Sequence, residues 1–338
     1  GALDPAVELV DLRVDPPFRR GGPAKLWRLL GQVQPQVVHG FTNVGCYFAV
    51  PLARLRGVPA TVATMGNAVD DPLLSRAEWR LASVPLHMAH AVTGNSREVV
   101  ESARRILKLP ASRLHHIPNY VDPERLPYQD AGLRAEVRAE LGRLGLPSDA
   151  WLVGTVGRLT AQKDPETFLH AAAGAPSEVA GRPVHWLWVG EGDLREATAA
   201  LATQLDIGSR VHLLGNRDDV PRLLQGLDLF VLSSSYEGMP NVVLEALGAG
   251  LPVVSTEVAG SDVLVLPGRT GWRVPTGDAA ALAVAVAEAL GQPEQLRRYG
   301  QQGHQLVRCE FARDVVVPRY FALYNQLLSA RSRGAGDL

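Results

Sequence analysis

Two kinds of hydrophobic pattern alternate along the chain. Short uninterrupted apolar runs end in glycine or polar turn residues, and between them lie longer stretches whose apolar residues recur every three or four positions. The first pattern predicts buried strands and the second amphipathic helices. In the first part of the chain strands are expected at 7–12, 36–39, 60–64, 91–93 and 114–117, and helices at 23–33, 44–55, 73–87 and 96–107. The stretch 118–127 is rich in turn residues and leads through a charged helix at 133–144 to Pro147, which predicts an interdomain connection over 118–148. The alternation then restarts, with strands at 151–156, 184–189, 211–214, 229–232, 253–255 and 272–274 and helices at 165–173, 194–205, 220–227, 241–249 and 279–290. A last amphipathic helix covers about 315–330. Alternating strands and helices imply βα units and parallel sheets. The expected fold class is α/β, two Rossmann-like doubly wound domains at 1–128 and 148–314, with the last helix packing back on the first.

A length of 338 residues agrees with two cores, since single cores seldom grow far beyond ~250 residues. A formal net charge of -1 and a pI near 6.8 provide no basic footprint, so nucleic acid is not expected as a partner. Cys46 and Cys309 are too few for a disulfide framework or a metal cluster and are read as inert, partly buried thiols in a reducing cytoplasm. The most apolar stretch, 279–290, is interrupted by Glu288 and falls well short of the ~20 residues of a membrane span. Neither a span nor a secretory signal is read, and the expected location is cytoplasmic. Only three of the 34 basic residues are lysines, Lys25, Lys108 and Lys163, so a lysine inside a motif carries information. Residues 1–128 hold 15 Lys/Arg against 11 Asp/Glu, and the remainder 19 against 24. Arg97, Arg104, Arg105 and Lys108 share one expected helix; this is a solvated face that also suits peripheral contact with the anionic inner membrane surface.

Ligands of doubly wound sheets sit beyond the carboxyl ends of the strands, where following helices present their N-termini. The segment Asp228-Leu-Phe-Val-Leu-Ser-Ser-Ser-Tyr-Glu237-Gly-Met-Pro-Asn241-Val-Val-Leu-Glu245 runs from an apolar strand through a polar turn into a helix. Gly238 allows an unusual backbone angle there and Pro240 suits a first helical turn. The N–H groups of Asn241 to Val243 are then expected to point unpaired into the crevice, an anion site suited to a diphosphate. Glu237 precedes the helix, while Glu245 lies inside it on the face of Asn241. Separated carboxylates flanking a diphosphate site suit the hydroxyls of a nucleotide sugar better than a nicotinamide dinucleotide. Singly, each is more readily a turn or helix-surface carboxylate; the combined spacing with Gly238, Pro240 and Asn241 reverses that. In Leu152-Val-Gly-Thr-Val-Gly157-Arg158-Leu-Thr-Ala-Gln-Lys163-Asp-Pro a strand ends at glycine and two cations follow in a loop. They are suited to clamp a diphosphate, though two exposed cations are the default for any such pair. The nine histidines show no ligand spacing, and Asp218-Asp219 reads as a helix start, so no metal site is expected.

These elements, with Val189-Gly-Glu-Gly-Asp193, Gly215-Asn-Arg-Asp-Asp-Val220 and Ile117-Pro-Asn-Tyr-Val-Asp122, resemble glycosyltransferase family 4 over about residues 5–328. The resemblance implies the GT-B architecture, with two Rossmann-like domains facing a cleft. It implies a metal-independent, retaining hexosyltransferase moving sugar from a nucleotide-diphosphate sugar to a hydroxyl of a saccharide or lipid-linked acceptor, in cell-surface polysaccharide or glycolipid synthesis. The nucleotide sugar is donor substrate, with no separate cofactor. By similarity Glu245 would bind ribose, Glu237 the donor sugar, and Arg158 with Lys163 the diphosphate; Gly215 and Asn216 would edge the base. Gly238, Met239, Asn241 and Val242 would complete the nucleotide-sugar contacts.

Two departures from the family pattern stand out. The family's opening strand and glycine-rich loop are missing, since 7–12 resembles a later strand and Gly21-Gly22 follows no apolar run. Where many members place a histidine near the reacting sugar, this chain reads Thr64-Met65-Gly66-Asn67, leaving Asn67, a turn residue by default, and His39, equally readable as structural. Two rival functions therefore stay open, a catalytically impaired sugar-nucleotide-binding module and a sugar-nucleotide epimerase. A dehydrogenase is disfavoured because Gly154-Thr-Val-Gly157 lacks the full dinucleotide fingerprint.

Overall fold

The computed structural model describes residues 7–10, 22–68 and 83–334. Its chain divides into two compact units: one gathers the described residues up to Gly94, Val100–His116 and those from Tyr320 onwards; the other holds Asn95–Val99 and Ile117–Arg319.

In the first unit β1 (Val37–Gly40), β2 (Ala60–Met65), β3 (Ala91–Gly94) and β4 (Leu114–His116) form a parallel sheet in that order. Four helices accompany it: α1 (Gly22–Val33), α2 (Thr42–Leu55), α3 (described over 83–88) and α4 (Arg97–Leu107). Leu30 of α1, Ala53 of α2 and Val58 make a small buried cluster beneath them. The strand expected at 7–12 is not found: Val7, Leu9 and Val10 are exposed and unpaired in any strand, and Asp11 and Leu12 lie outside the described residues. Of the helix expected at 73–87, residues 73–82 lie outside the described residues, as does Gly21.

The second unit contains β5 (Trp151–Val156), β6 (Glu178–Val179), β7 (Arg182–Val189), β8 (Val211–Gly215), β9 (Leu229–Leu232), β10 (Val253–Thr256) and β11 (Gly271–Val274). Its helices are α5 (Ala131–Arg143), α6 (Pro165–Gly174), α7 (Arg195–Gln204), α8 (Val220–Leu224), α9 (Asn241–Gly248), α10 (Ser261–Leu264), α11 (Ala279–Leu290) and α12 (Pro293–Leu306). Apart from the short antiparallel β6, the strands are parallel in the order β8-β7-β5-β9-β10-β11. Numbering those six in chain order gives 3-2-1-4-5-6, the doubly wound dinucleotide-binding arrangement. Cores cover both faces. On one, Phe168 of α6 meets Trp186 and Trp188 edge-on, with centroids 5.1 Å apart. On the other, α9 packs with Val121, Leu126, Val137 and Leu141.

Those four residues revise the expected division. The stretch 117–128, expected to close the first domain, and the charged helix, expected in the connection, both pack in the second core. Val121 is further fixed there by donating its N–H to the Phe311 carbonyl at 3.0 Å. A turn-rich stretch gives no periodic sign that two of its apolar residues are buried. Helix α12 was not among the expected elements, and it contains Gly300 and Gly303, two residues of low helix propensity. They serve packing instead: a Cβ at Gly300 would stand 2.1 Å from the Gly250 carbonyl oxygen, and one at Gly303 2.6 Å from Leu247.

The last helix, α13 (Arg313–Gly334), begins in the second unit and belongs to the first from Tyr320. There Leu323 is buried, and Arg331 donates to the Val58 carbonyl at 3.2 Å.

Candidate functional site

The strand order reverses between β5 and β9, so the loops leaving their carboxyl ends part to either side of a crevice, which is where such sheets hold ligands. Those loops, 157–164 and 233–240, contain the motifs singled out in the sequence. They are hydrogen-bonded to each other. Ser235 N–H donates to the Gln162 carbonyl at 2.9 Å, and the Ser233 hydroxyl donates to the Lys163 carbonyl at 2.8 Å.

This lacing brings Lys163 to Glu237. The ammonium donates to Glu237 Oε1 at 2.5 Å, and the Ser234 hydroxyl donates to the same oxygen at 2.9 Å. Only 17% of the Lys163 side chain and 9% of Glu237 are exposed, so the pair is part-buried and its Coulomb attraction less screened than that of a surface pair. Ser234 is itself fully buried, with its carbonyl taking the Thr256 hydroxyl at 2.7 Å. Beside the pair Asp164 adopts a left-handed conformation (φ 49°) and caps α6, accepting from Thr167 N–H at 3.0 Å. Arg158 stands exposed at the other end of the loop. The two cations expected to act as one clamp are thus unequal: one is held by a carboxylate and the other faces solvent.

Helix α9 starts at the crevice, with Pro240 as its N-cap. Of the three N–H groups expected free, that of Val243 is taken by the Pro240 carbonyl at 3.1 Å. Those of Asn241 and Val242 head the helix without a backbone acceptor. The unusual backbone angle expected at Gly238 is not there; it belongs to Gly260 (φ 76°), where a Cβ would approach Met239 Cα at 3.0 Å. Met239 is buried in the core, and Val242 packs against it from the helix. Glu245, one turn further in, is half-buried, and burial pushes its carboxyl above the ordinary range.

The outer strands extend the same rim. Gly190 N–H donates to the Gly215 carbonyl at 2.8 Å, and Leu159 N–H to the Glu191 carbonyl at 2.9 Å. At Gly190 (φ 138°) a Cβ would lie 2.1 Å from the Gly157 oxygen, so only glycine lets these loops close. Asn216 follows, exposed. Asp219 is the N-cap of α8, as expected of a helix start, but its carboxylate is engaged by Arg217 at 2.8 Å and makes no capping hydrogen bond.

Two contributors carried no assigned role in the sequence reading. Ser234 was one hydroxyl in a run of three, and that polar run at a strand end was its only signal. Asn119 donates its amide to the Met239 carbonyl at 3.2 Å and to Asn241 Oδ1 at 2.8 Å, tying the 117–128 stretch to the loop before α9.

In the first unit His39 ends a strand with both ring nitrogens engaged, Nδ1 with the Tyr324 hydroxyl and Nε2 with that of Thr64, each at 2.6 Å. Its ring stacks on Phe41 at 4.0 Å, and burial pushes its pKa down to about 4. Both ring nitrogens being engaged by side chains of the same unit agrees with the structural reading. Asn67 sits in the bend after β2. Cys46 is buried, its thiol pushed up to about 11 by that burial, whereas Cys309, expected to be partly buried, is exposed.

Two family models match the chain, one on each half. The model described as Glycosyltransferase Family 4 matches residues 4–125, and that described as Glycosyl transferases group 1 matches residues 151–292. The chain belongs to glycosyltransferase family 4. Among relatives, the lipopolysaccharide core biosynthesis glycosyltransferase LpsE of Rhizobium meliloti is 32% identical over 188 residues, 55% of this chain and 53% of that one. The UDP-Gal:alpha-D-GlcNAc-diphosphoundecaprenol alpha-1,3-galactosyltransferase of Escherichia coli is 28% identical over 75% of this chain and 66% of its own length. The chain therefore spans between half and two thirds of these relatives. Among solved structures, sucrose-phosphate synthase of Thermosynechococcus elongatus superposes with a TM-score of 0.81 at 23% identity, covering 95% of this chain and 83% of that one. HepE of Anabaena, in complex with UDP and glucose, does so with a TM-score of 0.78 at 19% identity, covering 94% and 82%. Both support the fold of two Rossmann-like domains.

Proposed function

We propose that this family member transfers a hexosyl group, with retention at the anomeric carbon and without a metal, from a nucleotide-diphosphate sugar to a hydroxyl of a saccharide or lipid-linked acceptor. The observation that carries the reading is the part-buried Lys163–Glu237 pair at the strand-order reversal, beside the start of α9. The diphosphate would lie against the N–H groups of Asn241 and Val242 with Lys163 and Arg158 as counter-charges; Glu237 would meet the sugar and Glu245 the ribose hydroxyls. Gly215 and Asn216 would border the base. In the transfer the bond from the anomeric carbon to the phosphate oxygen breaks, and a bond to the acceptor oxygen forms on the same face. The acceptor proton passes to the departing phosphate. Negative charge grows on that phosphate in the transition state, where fixed donors are most effective; losing one commonly costs ~10²–10³ in rate. The relatives' names point to surface polysaccharide or lipopolysaccharide as the product class and to uridine as the first base to test. An acceptor bound to lipid would bring the protein to the cytoplasmic membrane face, and no helix among the described residues is long and apolar enough to cross a membrane.

Calorimetric titration with UDP, GDP and ADP tests the reading. One nucleotide is expected to bind well, with at least ~10-fold weaker binding to Glu245→Ala and Lys163→Ala, since a hydrogen bond to a charged group contributes about 1.5–3 kcal/mol. A folded sample that binds none of them, or variants that bind unchanged, would refute it.

A further inference from the structure

We infer a second ligand site at the opposite end of the second sheet, a pocket for a small molecule carrying two or more phosphoryl or carboxylate groups. At the amino ends of β5, β9 and β10 a cavity of about 450 Å³ opens, lined by Trp151 at the start of β5, by Asp228 and Pro252 just before β9 and β10, and by Arg134, Arg182 and Arg297. Its size falls within the range of small-molecule pockets. The crevice at the carboxyl ends belongs to other residues, so the two sites share no lining group.

Counting donors and acceptors decides its polarity. Asp228 is fully used by the protein: Oδ1 accepts from Arg134 at 2.6 Å, and Oδ2 from Arg138 at 2.5 Å and from Leu152 N–H at 2.8 Å. Asp130, the other acid in the wall, caps α5 by accepting from Leu133 N–H at 2.9 Å. The arginines are not used up. Arg134 gives Nη1 to the Gln225 and Leu227 carbonyls and Nη2 to Asp228, which leaves Nε. Arg182 lies over the Trp151 ring at 3.6 Å and gives Nε and Nη2 to the Asp149 and Ala150 carbonyls, which leaves Nη1. Arg297 makes one long contact, Nε to the Pro293 carbonyl at 3.4 Å, and keeps both Nη groups. Closing the carbonyl ends around α8 explains Arg134 and Arg138, but not Arg297 or the spare edge of Arg182. Three cations with unspent donors around one cavity, against one acid already ion-paired and one exposed acid that caps α5, make a receptor for anionic oxygens. The starts of α5 and α12 stand in the same wall and add to its positive potential.

The probes are pyrophosphate and citrate, titrated calorimetrically into the full chain and into Lys163→Ala, Arg297→Glu and Arg297→Lys. Lys163 lies outside this cavity, so its variant weakens the proposed donor site and leaves this one. Saturable binding that persists in Lys163→Ala, falls at least ~10-fold in Arg297→Glu and stays within about threefold in Arg297→Lys is the expected result. The tighter of the two probes then distinguishes a phosphoryl from a carboxylate ligand. Binding that disappears in Lys163→Ala, binding indifferent to Arg297→Glu, or saturation by neither probe would overturn the inference without touching the nucleotide-sugar reading. Arg297 makes only its one long contact, so Arg297→Glu is expected to melt like the parent, and the melting curve checks that a loss of binding is not a loss of fold.

Discussion

Removing either member of the Lys163–Glu237 pair should cost far more than removing a surface salt bridge. The contact is 2.5 Å long, and side-chain exposures of 17% and 9% place both charges largely out of water. A buried charge stripped of its partner destabilises by about 3–5 kcal/mol, whereas an exposed pair is worth ~0–1 kcal/mol. Lys163→Met leaves Glu237 with the Ser234 hydroxyl alone, and Glu237→Gln leaves the ammonium facing an amide. Each should therefore lower stability by about 3 kcal/mol. A domain of this size loses roughly 2–4 °C per kcal/mol, so the melting temperature should drop on the order of 10 °C. The double variant Lys163→Met/Glu237→Gln removes both charges together and should be more stable than the sum of the singles by about 2 kcal/mol or more. The assay is urea unfolding followed by tryptophan fluorescence, which reports this unit through its buried Trp186 and Trp188. Single effects under about 1 kcal/mol, or strict additivity, would mean that water screens the pair and that the burial argument is wrong. Binding should move the other way for one member: Glu237→Gln frees the ammonium, so a nucleoside diphosphate without sugar should bind it more tightly than the parent.

Other groups titrate in opposite senses. Burial raises the Glu245 carboxyl, so as pH rises past its ordinary value of 4.5 the unfolded chain ionises first and the folded one carries a penalty at neutral pH. Glu245→Gln should raise the melting temperature at pH 7, lose that gain below about pH 4.5, and weaken nucleotide binding about tenfold; scanning calorimetry and titration measure both. His39 is depressed from 6.5 to about 4, so its stabilising contribution is complete above pH 6.5 and drains away as pH falls toward 4. The stability difference between the parent and His39→Gln should shrink by up to roughly 1.4 kcal/mol per pH unit over that window, measured by urea unfolding at stepped pH.

The elements that could be read directly are those whose local pattern and tertiary burial agree. The strands at 151–156 and 229–232 and the helix at 279–290 were expected with the bounds they have, each being a predominantly apolar run, broken only by Thr155 in the first and Glu288 in the last. The residues of the candidate crevice were legible too, as polar turns at strand ends, but their mutual geometry was not. Lys163 and Glu237 are 74 positions apart and meet only because β5 and β9 are neighbours. That adjacency is a property of the whole strand order, which no single segment encodes. Asn119 was quoted in a motif, yet its partners Met239 and Asn241 lie some 120 positions away. Burial of Val121 and Leu126 failed to show for a related reason: they contact a core built from elsewhere in the chain, so no periodicity marks them.

Because the first unit takes in residues from Tyr320 onwards, the order in which the chain is made is not the order in which its parts can be finished. A ribosome delivers β1 to β4 early, but the hydroxyl that holds His39 and the guanidinium that closes the carbonyls at Val58 and Pro59 arrive with α13. The second unit, nearly all of it one stretch from Ile117 to Arg319, has every partner it needs before that. Nascent domains ordinarily complete from the N-terminus onward. Here the first sheet's histidine has Thr64 for one ring nitrogen but lacks its Tyr324 partner for the other until the last helix has emerged, and a stop codon placed just before Tyr320 would leave the second unit whole and the first unfinished.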